Sequence, residues 1–566
     1  MTVTGSSRLG SSDEGVSTTP RPSLPPELSI FVSATGSTPV EYAETLGEAY
    51  LSFAKRKFRK SVGHYLTPAS VAGFMAECSS YSAKHMRVLD PGSGSGILSA
   101  AVCEAVAGQG NVESLHVDAY ETEPLLAELS RRVLAVSQDW LSQRGVSLTF
   151  GVRNEDFVLE TAASIKSLTE ASWFGGGQVP RAEYDLVISN PPYFKIGKDD
   201  PRAAAWSSVV NGQPNIYALF MSISAELLSR SGRLVYIVPR SFASGPYFRR
   251  FREVFFQKVA PTIIHLFESR KDVFKNQTVL QENLVIAAQK LADGEVVDGH
   301  QVLVSHSKGA HDLAERQQHL VDVESVLDPT SKQREMSIPL CAEDLKIVEV
   351  MRSWPNTLRS LGLEISTGPV VPFRATEFLA HAVTGDSTVP LLWMQHVRPM
   401  RTSWPLAVCD KAQGIKVSVD STKLLVADKT YVLIRRFSAK EEKRRLVSAP
   451  LIRGSLNADM VGLENHLNYI RGVWKDLDDE LAYGLSALLN SAWLDRYFRI
   501  SNGNTQVSAT ELRAMPLPAE DEIRSIGVEV QRGFRSAPDT ASIDNLIAEV
   551  LNLSRDVGME LEPAAG

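Results

Sequence analysis

Between Val88 and Lys290 the chain alternates short apolar runs with longer stretches of helical periodicity. "MRVLD", "LHVDAYE", "SLTFGV" and "DLVIS" read as strands; "GILSAAVCEAVAG", "EPLLAELSRRVLAVSQDWL" and "IYALFMSISAELLS" read as helices, the first closed by Gly108. "RLVYIVP", "TIIHLF" and "ENLVIAAQ" add three further strands. Strands separated by helices run parallel, because a helix is the usual crossover and a tight hairpin is not. The alternation therefore predicts a doubly wound α/β sheet with ligands at the carboxyl ends of its strands. The stretch 160–183, with "WFGGGQVP", reads as an inserted loop.

A chain of 566 residues exceeds one ordinary core. Residues 1–30 are rich in Ser, Thr, Gly and Pro and read as a flexible tail. Residues 31–330 hold the α/β pattern, preceded by the helical "VEYAETLGEAYLSFAKRKF". Over 331–566 short strands ("VPLLWMQHV", "YVLIRRF", "APLIRG") mix with helices such as "DELAYGLSALLNSAWLDRYF", which predicts a separate α+β domain. The four cysteines are scattered without a CxxC pair, which argues against a zinc site or disulfide framework and fits a reducing compartment. Neither a signal-type apolar segment nor a membrane-length run is present, so the expectation is a cytoplasmic protein without membrane contact or metal. The net charge of −7 does not suggest a polyanion partner, but Arg398 to Arg445 carries twelve basic and five acidic residues, 12 − 5 = +7. Such a local excess suits either a polyanion contact or a solvated charged face.

Two stretches carry chemistry. In "VLDPGSGSGILSAA", Asp90 ends a strand and Gly92, Gly94 and Gly96 lead into a helix. Glycines allow a tight turn and close approach of a ligand. The turn lacks the Lys-Ser/Thr of a triphosphate loop and departs from dinucleotide spacing. Glu121 closes the next strand, where a ribose-binding carboxylate would sit.

In "LVISNPPYFK" the strand stops at Asn190, Pro191, Pro192 and Tyr193. Two prolines cannot continue a sheet, and each restricts the residue before it. The Asn190 amide oxygen and the Pro191 carbonyl become fixed acceptors beside the Tyr193 ring. Two acceptors and a ring suit a planar amino group. A glutamine amide, guanine or adenine would satisfy that description.

Together these stretches resemble motifs of the class I S-adenosylmethionine-dependent methyltransferases, and the chain is similar to gamma-class (Taq-type) N6-adenine DNA methyltransferases of restriction-modification systems. The resemblance spans nearly all of the chain beyond the tail. It implies a mixed seven-stranded Rossmann-like sheet, S-adenosyl-L-methionine as cofactor, and direct methyl transfer to the N6 of an adenine flipped out of duplex DNA. "GHYLTPASVAGFM" would place Thr67 and Pro68 at the cofactor's methionine end, although the same residues suit a helix start with Thr67 as cap and Pro68 at the first position. In "NEDFV", Asp156 would bond the cofactor adenine and Phe157 stack on it. In "DVFKNQTVLQENLVI", Phe274 would form the second wall of the base pocket. The inserted loop at 160–183 lengthens the spacing after Asp156 beyond the family pattern.

Residues 331–566 would form the α+β target-recognition domain. Arg435, Arg436, Lys443, Arg444 and Arg445 could meet phosphates, and Arg499, Asn502, Asn504, Thr505 and Gln506 could read bases or simply form a polar turn before a helix capped at Ser508. The alternative activity is methylation of a protein glutamine amide or an RNA base amino group; the large C-terminal segment favours DNA. "ESRK" lacks a convincing paired acid, so a cognate restriction endonuclease would be a separate polypeptide, and the enzyme is expected to be a monomer.

Overall fold

A computed structural model of the protein describes residues 36–54, 65–164, 183–207, 209, 215–269, 273, 282–292, 294–328, 331, 334–383, 385, 387–438, 442–503, 506–533 and 539–553. The expected tail, Phe274, Asn504, Thr505 and most of the 160–183 loop lie outside these residues. Helix α1 (Pro39–Phe53) opens with a reciprocal cap. The Glu41 N–H donates to Thr38 Oγ1 at 3.4 Å and the Thr38 N–H to Glu41 Oε2 at 2.9 Å, with Pro39 in the first turn. Helix α2 (Ala69–Glu77) follows.

The first body is built on β1 (His85–Asp90), β2 (Ser114–Tyr120), β3 (Ser147–Arg153), β4 (Tyr184–Ser189), β5 (Leu228–Pro239), β6 (Val259–Phe267), β7 (Asn283–Lys290), β8 (Gln301–Ser307) and β9 (Gln317–Asp322). Their order is β3-β2-β1-β4-β5-β7-β6-β8-β9. β1 to β5 run parallel, and β7 inserts antiparallel between β5 and β6. Side chains alternate between two cores. Val88, Leu186 and Ile188 pack with α1, α2, α3 (Ile97–Gln109) and α4 (Pro124–Ser142), whereas Leu89 and Val187 pack with α5 (Ile216–Leu227) and α6 (Arg249–Phe255). Burial on both faces is what the continuous apolar strands require.

The sheet has nine strands, not seven. β8 joins β6 in parallel and β9 pairs antiparallel with β8. The addition also provides hydroxyl partners for buried His265, whose ring nitrogens lie 2.9 Å from Ser305 Oγ and 3.1 Å from Ser307 Oγ. The end of α3 is also corrected: Gly108 lies inside the helix, and Gly110, at φ +69°, takes the left-handed cap position. The supposed loop from residue 160 begins as helix, running from 157 through 164.

The second body holds a four-stranded antiparallel sheet, ordered Leu363–Thr367, Leu467–Gly472, Tyr431–Arg435, Ser448–Leu451, and a five-stranded sheet of short strands. The long C-terminal helix is two helices, α7 (Asp479–Asn490) and α8 (Ala492–Ser501). Ser491 breaks them by capping the second, its Oγ accepting from the Leu494 N–H at 3.2 Å. Apolar residues through Ile338 belong to the first body's core and those from Ile347 to the second's. At the joint the Ile338 N–H donates to the Ile500 carbonyl at 3.0 Å. Among the described residues no helix is long and apolar enough to cross a membrane.

Candidate active site

The register brings the carboxyl ends of β1, β2, β4 and β5 to one edge. Leu89 pairs with Val187, Asp90 with Ala119, and Ser189 with Tyr236. The turn after β1 and the prolines after β4 meet there: a Cβ built on Gly92 would lie 3.8 Å from Ser189 Oγ and 3.9 Å from the Asn190 carbonyl. Gly94 and Gly96 adopt φ of +53° and +89°, values that L side chains rarely tolerate.

Asp90 is fully buried. Its Oδ2 accepts from Ser99 Oγ at 2.8 Å, while Oδ1 is buried without a hydrogen-bond partner among the described residues. Glu121 accepts from the Gly94 N–H at 2.9 Å and the Glu123 N–H at 2.8 Å. Burial pushes both carboxyls up to about 7. An unsatisfied buried oxygen beside a second carboxylate and an open glycine turn fits a polar ligand.

Asn190 is held more tightly than its motif suggests. Its Nδ2 donates to the Tyr65 carbonyl at 2.8 Å and to Thr67 Oγ1 at 3.1 Å. Its Oδ1 accepts from the Tyr193 hydroxyl at 2.7 Å, which also lies 2.9 Å from the Ile237 carbonyl. Burial raises the Tyr193 phenol well above its ordinary value, so the hydroxyl stays a donor. The ring is half-buried, near-parallel to Tyr65 at 6.0 Å and edge-on to Tyr217 at 6.2 Å. Pro191 is buried, and Pro192 is half-buried.

Thr67 is therefore not a helix cap. Pro68 itself occupies the N-cap position of α2, and the Glu44 carboxylate accepts from the Ala69 N–H at 3.0 Å. Tyr65 and Ile237 act through backbone carbonyls; "GHYLTP" contains the first, but a carbonyl leaves no side-chain signature. Asp156 is an N-cap: Oδ1 accepts from the N–H groups of Val158 (2.9 Å) and Leu159 (3.2 Å), and Oδ2 lies 3.6 Å from Arg202. Phe157 is 2% exposed, packed between Tyr120 and Phe220 at 5.4 and 5.3 Å.

The family model described as Eco57I restriction-modification methylase matches residues 122–274. The chain is 32% identical over 497 residues to the Type II methyltransferase M.BsuBI of Bacillus subtilis, covering 88% of this chain and 95% of that one. It is 31% identical over 511 residues to the Type II methyltransferase M.PstI of Providencia stuartii, covering 90% and 97%. The chain belongs to the Type II restriction-modification methyltransferases. A looser likeness, 12% identity with a TM-score of 0.48 over 88% of this chain and 49% of the other, is to a nuclease-deletion mutant of the Type ISP restriction-modification enzyme LlaGI in complex with a DNA substrate mimic.

Most of the basic residues expected to meet a polyanion on this methyltransferase are committed internally. Arg445 is 1% exposed, its Nε donating to Ser438 Oγ at 3.0 Å. Arg444 pairs with Asp544 at 2.8 Å. Arg435 donates to the Val397 carbonyl at 2.8 Å. Arg499 pairs with Asp495 at 2.8 Å and donates to the Glu442 carbonyl at 2.8 Å. Lys443 and Gln506 are exposed; Arg436, partly exposed like Arg435, Arg444 and Arg499, also has an internal acceptor, the Asn465 carbonyl at 3.1 Å.

Proposed function

We propose that the protein is a site-specific DNA adenine N6-methyltransferase that uses S-adenosyl-L-methionine, the modification enzyme of a restriction-modification system whose nuclease is a separate polypeptide. One observation carries the reading. Two acceptors pin the Asn190 amide nitrogen, so its oxygen is turned the other way, next to the Tyr193 hydroxyl. An amide fixed in this sense accepts hydrogens from a planar amine and cannot present donors to it.

The cofactor supplies an electrophilic methyl group. Asp90, Glu121 and the turn Gly92–Gly96 fit its polar and ribose portions; Thr67 and Pro68 lie beside Asn190 at the same edge. On the substrate side, Asn190 Oδ1 and the Pro191 carbonyl accept the two N6 hydrogens. An amide oxygen has two lone pairs, so Oδ1 can serve the Tyr193 hydroxyl and the substrate together. The acceptors stabilise positive charge developing on N6 more in the transition state than in the ground state. The Tyr193 ring offers a stacking surface, and Phe274 is the proposed opposite wall. A base in a duplex must be flipped to reach such a pocket. The first body, to about Ile338, carries catalysis; the second, from about Ile347, carries target recognition.

The test is to map methylated bases in DNA from cells expressing the protein and its Asn190→Ala variant. The expected result is N6-methyladenine at one short sequence with the native chain and its near-complete loss in the variant, with cofactor affinity retained. Methylated cytosine, or equal methylation by both proteins, overturns the reading.

A further inference from the structure

His466 lies in "GLENHLNYI", a stretch with no assigned role. The two residues at the ends of "ENH" differ sharply in exposure: the Glu464 side chain is 0% exposed and the His466 side chain 42%. The Glu464 carboxylate lies 2.6 Å from His466 Nδ1, so a buried acid lies against the inner edge of a partly exposed imidazole. Phe437 packs edge-on against the ring at 4.8 Å, and the Arg436 N–H donates to the His466 carbonyl at 2.8 Å.

Arg436 is oriented by the same group of strands. Its Nη1 donates to the Asn465 carbonyl at 3.1 Å and its Nη2 to Gln506 Oε1 at 3.5 Å. Phe437 bridges to Gln506, and the Val507 N–H donates to the Arg436 carbonyl. Three hydrogen-bonding side chains, Arg436, His466 and Gln506, thus share one partly exposed surface, and each is held by a neighbour. Long polar side chains fixed this way suit base readout better than a phosphate contact, which needs only charge.

The position of the cluster points the same way. Gly503 abuts the end of β5: a Cβ there would lie 2.6 Å from Arg240 Cδ, and Arg240 directly follows Pro239. From the same strand the Ile237 carbonyl takes the Tyr193 hydroxyl. Gln506 is three residues from Gly503, at most ~10 Å of chain.

We infer that His466 is a specificity-determining residue, reading with Arg436 and Gln506 base edges of the target sequence. The inference rests on the proposed DNA methylation. Arg436 keeps further N–H groups for the acceptors of a guanine major-groove edge, and Gln506 can pair with an adenine edge.

The experiment uses the full-length chain on duplexes carrying its mapped sequence and on each single base-pair replacement, comparing kcat/KM. Native protein must discriminate among them; failure of that control sinks the proposed function, not this inference. Arg436→Lys, His466→Gln and Gln506→Ala are expected to reduce discrimination at one or two base pairs about tenfold or more, with rates at the other positions ordered as before. Lys443→Ala, an exposed cation, is expected to lower affinity evenly across all duplexes. Because a change at His466 leaves Glu464 buried without its partner, cofactor affinity and thermal stability are measured on every variant. Gln506 is exposed and serves if the His466 variant unfolds. Unchanged discrimination in a folded His466→Gln variant or, if that variant unfolds, in folded Arg436 and Gln506 variants, or an even loss across all duplexes, overturns the inference.

Discussion

At the scale of single residues, the two buried carboxyls are the groups whose behaviour depends most on pH. Asp90 and Glu121 are raised from 3.8 and 4.5 to about 7, with burial as the main cause. A carboxyl raised on folding holds its proton more tightly in the folded chain. Its contribution to stability is therefore present below the unfolded value and is lost as pH rises through about 7. Ligand hydroxyls donate to the anion, so binding strengthens over the same interval. The ligand-free protein should melt at a lower temperature at pH 8 than at pH 6, while the stabilisation produced by S-adenosylmethionine should be larger at pH 8. Glu121→Gln should flatten both trends and weaken cofactor binding about tenfold, the equivalent of one charged hydrogen bond of ~1.5 kcal/mol. Melting curves at the two pH values, with and without cofactor, decide the matter; equal cofactor shifts would remove these carboxyls from the ligand site.

At the scale of elements, Asp156 is defined by the helix it starts. Loss of an N-cap costs about 1 kcal/mol, and Asn substitutes for Asp. Asp156→Ala should lower the urea midpoint accordingly and Asp156→Asn should hardly move it; equal losses would mean that the charge facing Arg202, not the cap, is what counts. The case also shows what could be read in advance. The glycine turn and Asn190–Tyr193 were legible because turn and proline constraints act between adjacent residues, and both stretches sit where expected at the strand ends. The partners of Asn190 were not, since Thr67 is 123 positions away in sequence. β8 and β9 escaped notice because their half-buried alternation imitates polar loop. The arginine run misled for a related reason. Charge can be counted along a sequence, but the acceptors of Arg444 and Arg445, Asp544 and Ser438, come from folding.

For the molecule as a whole, the decisive contact is Arg240, which is 4% exposed. It pairs with Glu282 at 3.1 Å within the first body and donates to the carbonyls of Arg499 and Ile500 in the second at 2.8 and 2.6 Å. Those carbonyls close α8, where helix acceptors lack intrahelical partners and the dipole is negative, so a guanidinium suits them on both counts. One side chain thus serves an ion pair in the first body and a helix end in the second. Removing it breaks a buried ion pair and takes one donor from each of two helix-end carbonyls; breaking a buried pair costs ~3–5 kcal/mol. Arg240→Ala should therefore lower the melting temperature and split one calorimetric transition into two as the bodies uncouple. The double variant Arg240→Ala with Glu282→Ala should recover part of the stability, because the broken pair loses its buried carboxylate as well, yet keep the two transitions, because the Arg240 contact with the helix end is still missing. A single transition in the double variant would mean that the bodies are held together chiefly by apolar contact and that Arg240 is a local ion pair.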